Sequence, residues 1–259
     1  MSDRKRVVIV GAGFGGMSAA KKLAGKDVDV ILIDKRNHHL FQPLLYQVAT
    51  ADLSPAEIAW PIRSMFSKSP NVSVFMGEVT GIDLPNQRVL SGEHVLEYDC
   101  LVLATGAVTS YFGNDDWASV APGLKNITEA TNIRKSLLMA FEWAENSQDE
   151  DQKRRLLNFI VVGGGPTGVE MAGAIAELAK KTLSDDFRRI DPRDARIILA
   201  EGGPRLLAAF PEDLSDYTQK SLESIGVEVR VGQAVTEITA QGAKIGDEFI
   251  PSANVIWGA

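Results

Sequence analysis

Short hydrophobic runs recur along the chain, and two of them end at closely spaced glycines. These are VVIV at 7–10 and FIVV at 159–162. Val- and Ile-rich runs without alternation are typical of parallel strands whose two faces are both covered by helices. The segments after the glycines, 14–24 and 166–179, are rich in residues that favour helix. The pattern predicts a strand, a glycine turn and a helix at each place.

The order of these segments is itself repeated. VVIVGAGFGGMSAAKKLA at 7–24 returns as FIVVGGGPTGVEMAGAIAELA at 159–179. Three later segments return in the same order, 28–36 as 195–205, 72–83 as 227–239 and 98–107 as 253–259. Gly163 follows Gly11 by 152 positions, and Gly258 follows Gly106 by the same interval. We therefore predict an α/β protein with two Rossmann-like dinucleotide-binding folds related by duplication.

The stretch between the repeats sets the predicted domain boundaries. Residues 129–148 carry apolar side chains at helical spacing and predict an amphipathic helix. The polar stretch that follows predicts a solvated connector. We predict a first nucleotide-binding domain over 1–125, a connecting helix and linker over 126–154, and a second nucleotide-binding domain over 155–259.

The first glycine turn has the spacing GxGxxG. In this motif Gly11 permits a tight turn, Gly13 lets backbone approach a pyrophosphate, and Gly16 lets helix and strand pack closely. Phosphates then lie at the helix N-terminus, where free N–H groups favour anions. Asp34 ends the next strand, 18 residues after Gly16. A carboxylate there accepts hydrogen bonds from the hydroxyls of a ribose, so we predict dinucleotide binding.

A later strand ends in Ala104, Thr105 and Gly106. These small residues allow backbone to approach the same ligand. A plain strand-ending turn is the alternative.

The second turn repeats the motif with Gly163, Gly165 and Gly168, and Pro166 falls in the first helical turn, where its missing N–H costs little. Glu201 closes the next strand, 33 residues after Gly168, because an insertion lengthens this half. A carboxylate at this position accepts from a 2′-hydroxyl and repels a 2′-phosphate, which favours NAD over NADP.

Two charged residues near the second turn have more than one interpretation. Arg205 follows Glu201 by four positions and either softens the preference for NAD or is a surface arginine. Glu170 either stabilises the first turn of its helix or points towards a nicotinamide.

Composition removes several other classes of function. The net charge of −7 disfavours nucleic acid as a partner. The single cysteine, Cys100, excludes a redox-active cysteine pair, and the three histidines have no metal-ligand spacing, so we expect no metal site. We interpret the adjacent His38 and His39 as structural. No apolar run reaches the roughly 18 residues that a membrane-spanning helix requires.

With these motifs, the chain resembles type II NADH dehydrogenase, the single-subunit NADH:quinone oxidoreductase of the pyridine nucleotide-disulfide oxidoreductase-like superfamily. The most specific segments are LFQPLLYQVAT at 40–50 and GPTGVE at 165–170. The resemblance implies FAD in the first fold, NADH in the second, hydride transfer to the flavin and reduction of a membrane quinone.

The resemblance also assigns roles to individual residues. Gln47 and Val48 are expected to approach the flavin, Val79 to line the adenine, and Glu170 to lie at the nicotinamide as the catalytic residue. The expected cofactor-binding residues are Gly11, Gly13, Phe14, Gly15, Gly16, Asp34, Lys35, Gln47, Val79, Ala104, Thr105 and Gly106 for FAD, and Gly163, Gly165, Pro166, Thr167, Gly168, Glu170, Glu201 and Gly258 for NADH.

The family continues beyond the point where this sequence stops. Its further residues return to the FAD fold, face the quinone and bind the membrane, so we expect the FAD fold here to be incomplete at its C-terminus. The complete protein is expected on the cytoplasmic side, peripheral on the inner membrane, in an oligomeric state that the sequence does not indicate. A ferredoxin-type FAD-dependent NADH reductase, or a nucleotide-binding fragment without turnover, are the alternatives.

Overall fold

A computed structural model describes residues 4–259, which form two compact units. The first contains the chain up to Phe41 and Pro55–Val108, and the second contains Gln42–Ser54 and Thr109–Ala259. The strands are β1 (Lys5–Val10), β2 (Val28–Asp34), β3 (His38–Leu40), β4 (Ala59–Pro61), β5 (Val72–Met76), β6 (Gly81–Asp83), β7 (Arg88–Ser91), β8 (His94–Glu97), β9 (Cys100–Leu103), β10 (Asn158–Val162), β11 (Arg196–Glu201), β12 (Val227–Val231), β13 (Val235–Thr239), β14 (Gly242–Ile245), β15 (Glu248–Pro251) and β16 (Asn254–Trp257).

The helices differ widely in length. They are α1 (Phe14–Leu23), α2 (Leu45–Ala49), α3 (Pro55–Ile58), α4 (Ile62–Met65), α5 (Ile127–Asn146), α6 (Glu150–Leu156), α7 (Pro166–Glu177) and α8 (Glu212–Ser224). Helix α7 continues into a π-helical turn over Leu178–Thr182, and 3-10 turns cover Gln42–Leu44, Asp115–Ser119 and Pro192–Asp194. Within residues 4–259, none of these helices combines the length and the apolar composition that crossing a bilayer requires.

Each unit is built on a four-stranded parallel sheet with the same connectivity. The order is β5-β2-β1-β9 in the first unit and β12-β11-β10-β16 in the second. In both, the strand before the glycine turn lies at the centre, and every residue of β10 is buried. A three-stranded antiparallel sheet accompanies each one, β6-β7-β8 and β13-β14-β15. The prediction of an α/β protein with two Rossmann-like folds is confirmed.

The compact units divide the chain differently from the predicted boundaries. Residues 42–54 belong with the second unit because Leu45, Val48 and Ala49 of α2 are buried there, and α2 packs against α5 and α7. The stretch after 108 also belongs there, since the ring of Tyr111 lies 5.2 Å from that of Trp257. Both segments are assigned to the second unit because their apolar side chains are buried there, although one of them lies within the first repeat of the sequence.

The predicted connecting helix is α5, and its start has a side-chain cap. Asn126 Oδ1 accepts the N–H of Glu129 at 2.9 Å, while the Glu129 carboxylate accepts the N–H of Lys125 at 2.6 Å. The first bond satisfies an N–H group that a helix start otherwise leaves without a partner, and the second ties the preceding residue to the first turn. The polar stretch predicted as a connector contains the helix α6. Asp149 caps the start of this helix by accepting two backbone N–H groups.

The core beneath α5 gives a stability prediction. Phe141 is fully buried and stacks on Phe159 at 5.4 Å, whereas Trp143, two residues on, is 55% exposed. Phe141→Ala should lower the free energy of unfolding by about 3–5 kcal/mol through lost burial and a cavity. Trp143→Ala on the same helix should change it by about 0.5 kcal/mol or less. Urea unfolding measures both, and equal losses would contradict this packing.

Candidate functional site

The first glycine turn brings helix and sheet backbone into contact. Gly11 has a φ of +99°, and a Cβ added there would overlap the carbonyl oxygen of Ala104. A Cβ added to Gly16 would overlap the carbonyl oxygen of Gly11 itself. Helix α1 therefore starts against the turn and against the end of β9, at a distance that only glycine permits.

Gly13 is different, because space lies open around it. It is the N-cap residue of α1, and an added Cβ would meet no atom within 4 Å. The first turn of α1 contains no acidic residue and no side chain caps it, in contrast to α5 and α6. The first N–H groups of α1 are thus left for an anionic group at an accessible position. Phe14 and Gly15, also predicted site residues, begin this helix.

Asp34, at the end of β2, accepts a backbone N–H at each carboxylate oxygen, one of them from the turn. Oδ2 accepts the N–H of Ala12 at 2.7 Å, and Oδ1 accepts the N–H of Arg36 at 2.8 Å. The side chain borders a cavity of about 200 Å³. Five predicted residues line this cavity, namely Gly11, Asp34, Lys35, Val79 and Thr105. Gly106, next along the chain, has a φ of +74°.

The second unit repeats this geometry at the second glycine turn. Gly163 has a φ of +107°, a Cβ on Gly168 would overlap the carbonyl oxygen of Gly163, and a Cβ on Gly165 would meet nothing within 4 Å. Helix α7 begins with Pro166 and Thr167, without an acidic first turn or a side-chain cap. At the end of β16, the Gly258 N–H donates to Val162 O at 2.7 Å.

Glu201 takes the place that Asp34 has in the first unit. Its Oε2 accepts the N–H of Gly164 and its Oε1 accepts the N–H of Gly203, each at 2.5 Å. The nearby guanidinium of Arg205 is already engaged, because it donates to the carbonyl oxygens of Phe210 at 2.9 Å and Ala208 at 2.8 Å. Arg205 therefore closes its own loop, while the carboxylate of Glu201 is bound directly to the turn through the Gly164 N–H.

Glu170 and Gln47 both belong to the second unit. Glu170 is expected in the first turn of its helix. It is the fifth residue of α7 and lies just beyond that turn, which contains no acidic residue, so this expectation is wrong. Partial desolvation raises the pKa of Glu170, although the residue stays accessible to solvent. Gln47 is half-buried on α2, which packs against α7, and its Nε2 donates to the Tyr46 hydroxyl at 3.3 Å.

Two polar residues hold the first unit together, namely Asn71, which sequence reasoning missed, and His39, which it interpreted as structural without identifying its partner. Asn71 accepts the N–H of Gly25 and donates to the carbonyl oxygens of Leu23 and Val28. His39 is buried, and its Nδ1 lies 2.8 Å from the carbonyl oxygen of Ala12. Neither residue stands in a spacing that signals its contact. In residues 4–259, no group of three or more His, Cys, Asp or Glu side chains is arranged to hold a metal ion.

Comparison with known proteins agrees with this arrangement. The type II NADH:quinone oxidoreductase Ndh of Mycobacterium tuberculosis is 48% identical over 99% of this chain. The type II NADH:quinone oxidoreductase NdhA of the same organism is 46% identical over 100% of this chain. The chain spans 57% of the length of each. NDH2 from Plasmodium falciparum in complex with NADH superposes with a TM-score of 0.91 at 26% identity, over 99% of this chain and 55% of that one.

The family itself follows from a match over nearly the whole chain. Residues 5–258 fit the family model described as pyridine nucleotide-disulphide oxidoreductase. This range contains both glycine turns and both strand-end carboxylates, and it ends at Gly258. The chain belongs to the pyridine nucleotide-disulphide oxidoreductase family.

Proposed function

We propose that this chain is the nucleotide-binding core of a FAD-dependent NADH:quinone oxidoreductase. The observation that carries the proposal is the repeated site: two uncapped helix starts, each beside an open glycine and a carboxylate hydrogen-bonded to the turn. One protein with two such sites is suited to holding two dinucleotides. The Mycobacterium tuberculosis relatives, named as type II NADH:quinone oxidoreductases, support the reaction.

The first unit is the proposed FAD site. The cavity beside Asp34 suits the adenosine end, with Lys35 and Val79 along its wall. The pyrophosphate would lie at the start of α1, where Gly13 leaves room for it. Bound FAD supplies the hydride acceptor, and the protein binds it, orients it and limits competing reactions.

The second unit is the proposed NADH site. Glu201 accepts the N–H of Gly164 in the turn, and the guanidinium of Arg205, four residues on, is engaged with its own loop. Glu170 lies one turn further along α7, and we assign it to the nicotinamide end. Gln47 lies on α2, which packs against that same helix, and is assigned to the flavin end.

The electron acceptor is assigned to a membrane quinone by similarity to the named relatives. With a quinone as acceptor, we also propose a peripheral position at the inner membrane, on its cytoplasmic side. A ferredoxin as acceptor is the competing assignment, and kinetics with both acceptors separates the two.

The decisive experiment combines absorption and kinetics. The protein, saturated with FAD, should show flavin absorption that bleaches when NADH is added without oxygen, and a soluble quinone should restore it. Ferredoxin is the comparison acceptor. If NADH leaves the flavin oxidised, the oxidoreductase assignment fails, and restoration by ferredoxin but not by quinone would replace the acceptor.

Asp34 should determine FAD affinity. Asp34→Ala removes a ribose acceptor and leaves the Ala12 N–H without its partner, so FAD binding should weaken by about 1–3 kcal/mol. NADH affinity, measured by titration of the same variant, should stay within about twofold because the second site lies in the other unit. Parallel loss of both nucleotides would indicate unfolding and contradict the assignment.

Glu201 should determine the choice between NADH and NADPH. Wild-type protein should prefer NADH clearly, because the carboxylate repels a 2′-phosphate. Glu201→Gln keeps the side-chain shape but removes the charge, so the preference should narrow by about tenfold or more, roughly the 1.4 kcal/mol of a lost charge repulsion. Steady-state kinetics with both nucleotides measures this, and Arg205→Gln is the control that leaves the carboxylate in place. Equal use of NADPH by the wild type would contradict the role of Glu201.

A further inference from the structure

Ala12, which lies between the first two glycines of the first turn, is hydrogen-bonded at both its N–H and its carbonyl oxygen. The N–H of Ala12 donates to Asp34 Oδ2 at 2.7 Å, and its carbonyl oxygen lies 2.8 Å from His39 Nδ1. A carbonyl oxygen only accepts hydrogen bonds, so Nδ1 of His39 must carry the proton. Ala12 is itself buried, which leaves these two contacts to set the orientation of its peptide groups.

This contact fixes a second group, one residue further along. The carbonyl of Ala12 and the N–H of Gly13 belong to one planar trans peptide and point in opposite directions. Because His39 binds the Ala12 carbonyl oxygen, the Gly13 N–H points away from His39. No described residue accepts a hydrogen bond from that N–H. The backbone of Gly13 is also open on its Cα side, since a Cβ there would touch nothing within 4 Å.

The second unit provides an internal comparison. Gly164 occupies the position of Ala12: its N–H donates to Glu201 Oε2 at 2.5 Å, and its carbonyl oxygen accepts the N–H of Leu207 at 2.8 Å. Leu207 has a φ of +48°, unusual for a branched side chain. The loop around it is closed by Arg205. An imidazole in one unit and a backbone N–H in the other thus make the same hydrogen bond.

Local structure explains how His39 reaches the turn. It lies on β3, which pairs with β4 so that His39 stands opposite Trp60. The rings of Phe14 and His39 form a T-shaped pair with centroids 5.4 Å apart. Phe41 also meets Phe14, at 5.6 Å, but forms no hydrogen bond with the turn in the described residues. The imidazole is therefore held in place by packing and oriented by one hydrogen bond.

From these contacts we infer that His39 is a positioning residue, which directs the Gly13 N–H at the pyrophosphate of the FAD proposed for this site. The inference rests on the proposed function of the first unit. It assigns to His39 a role in recognising phosphate, beyond filling the core. The imidazole touches neither the phosphate nor the reacting atoms in this role, and acts through the Ala12–Gly13 peptide.

The test compares ligands with and without a pyrophosphate. The Kd values of FAD, ADP and adenosine are measured on cofactor-free protein, FAD by fluorescence quenching and the others by displacement. His39→Phe keeps a ring against Phe14 but has no donor, and it should weaken FAD and ADP about tenfold, the effect of one lost oriented hydrogen bond. Adenosine affinity should stay unchanged.

A rescue variant and a packing control complete the design. His39→Asn has a side-chain N–H near the position of Nδ1 and should return ADP affinity to within about threefold of wild type. Phe41→Leu removes the other ring that packs on Phe14 and should leave all three Kd values unchanged. NADH binding at the second site and the melting temperature report folding, and His39→Leu replaces His39→Phe if the larger ring prevents folding.

Four results would overturn the inference. An equal loss of affinity for ADP and for adenosine in His39→Phe would make His39 a packing residue. The same conclusion would follow if His39→Asn bound ADP no more tightly than His39→Phe. Wild-type FAD affinity in His39→Phe would show that the turn needs no such donor. Absence of FAD binding by the wild-type protein would overturn the proposed function, and this inference with it.

Discussion

Contact between a helix start and the backbone of its own turn is the constraint on which both units depend. At Gly16 and at Gly168, a Cβ would occupy the position of the carbonyl oxygen of the first turn glycine. Helices α1 and α7 can therefore lie directly on their sheets, and their first N–H groups face the strand ends. Any larger residue would push the helix outwards, away from the turn that the carboxylate of Asp34 or Glu201 binds.

Because these requirements are local and steric, the sequence predicts them well. The parallel strands, both turns, the strand-end acids and the helix α5 all follow from residue type and spacing. The duplication strengthens each prediction, since two copies with one interval make coincidence improbable. The family match over residues 5–258 and the parallel sheets of both units agree with that prediction. The individual ligand contacts stay predictions.

Features that depend on distant burial could not be predicted. Nothing in the spacing of residues 42–54 indicates that α2 packs against α5 and α7. Likewise, the sequence places Trp257 at the end of a strand but gives no sign of its partner. Its indole N–H donates to the carbonyl oxygen of Ser110, 147 positions away. Backbone donors such as the Leu207 N–H are invisible in any sequence motif, because every residue except proline carries one.

The two units also differ in how they satisfy one geometric demand, and the difference indicates what is essential. The acid is Asp in one and Glu in the other, and the donor to the turn carbonyl is an imidazole in one and a peptide N–H in the other. Side-chain identity has diverged while the pair of hydrogen bonds on the turn residue has not. A planar peptide leaves little choice, since orienting its carbonyl orients the N–H of the next residue. What the two units share is thus a pair of hydrogen bonds on the residue after the first turn glycine, whereas the groups that make those hydrogen bonds differ.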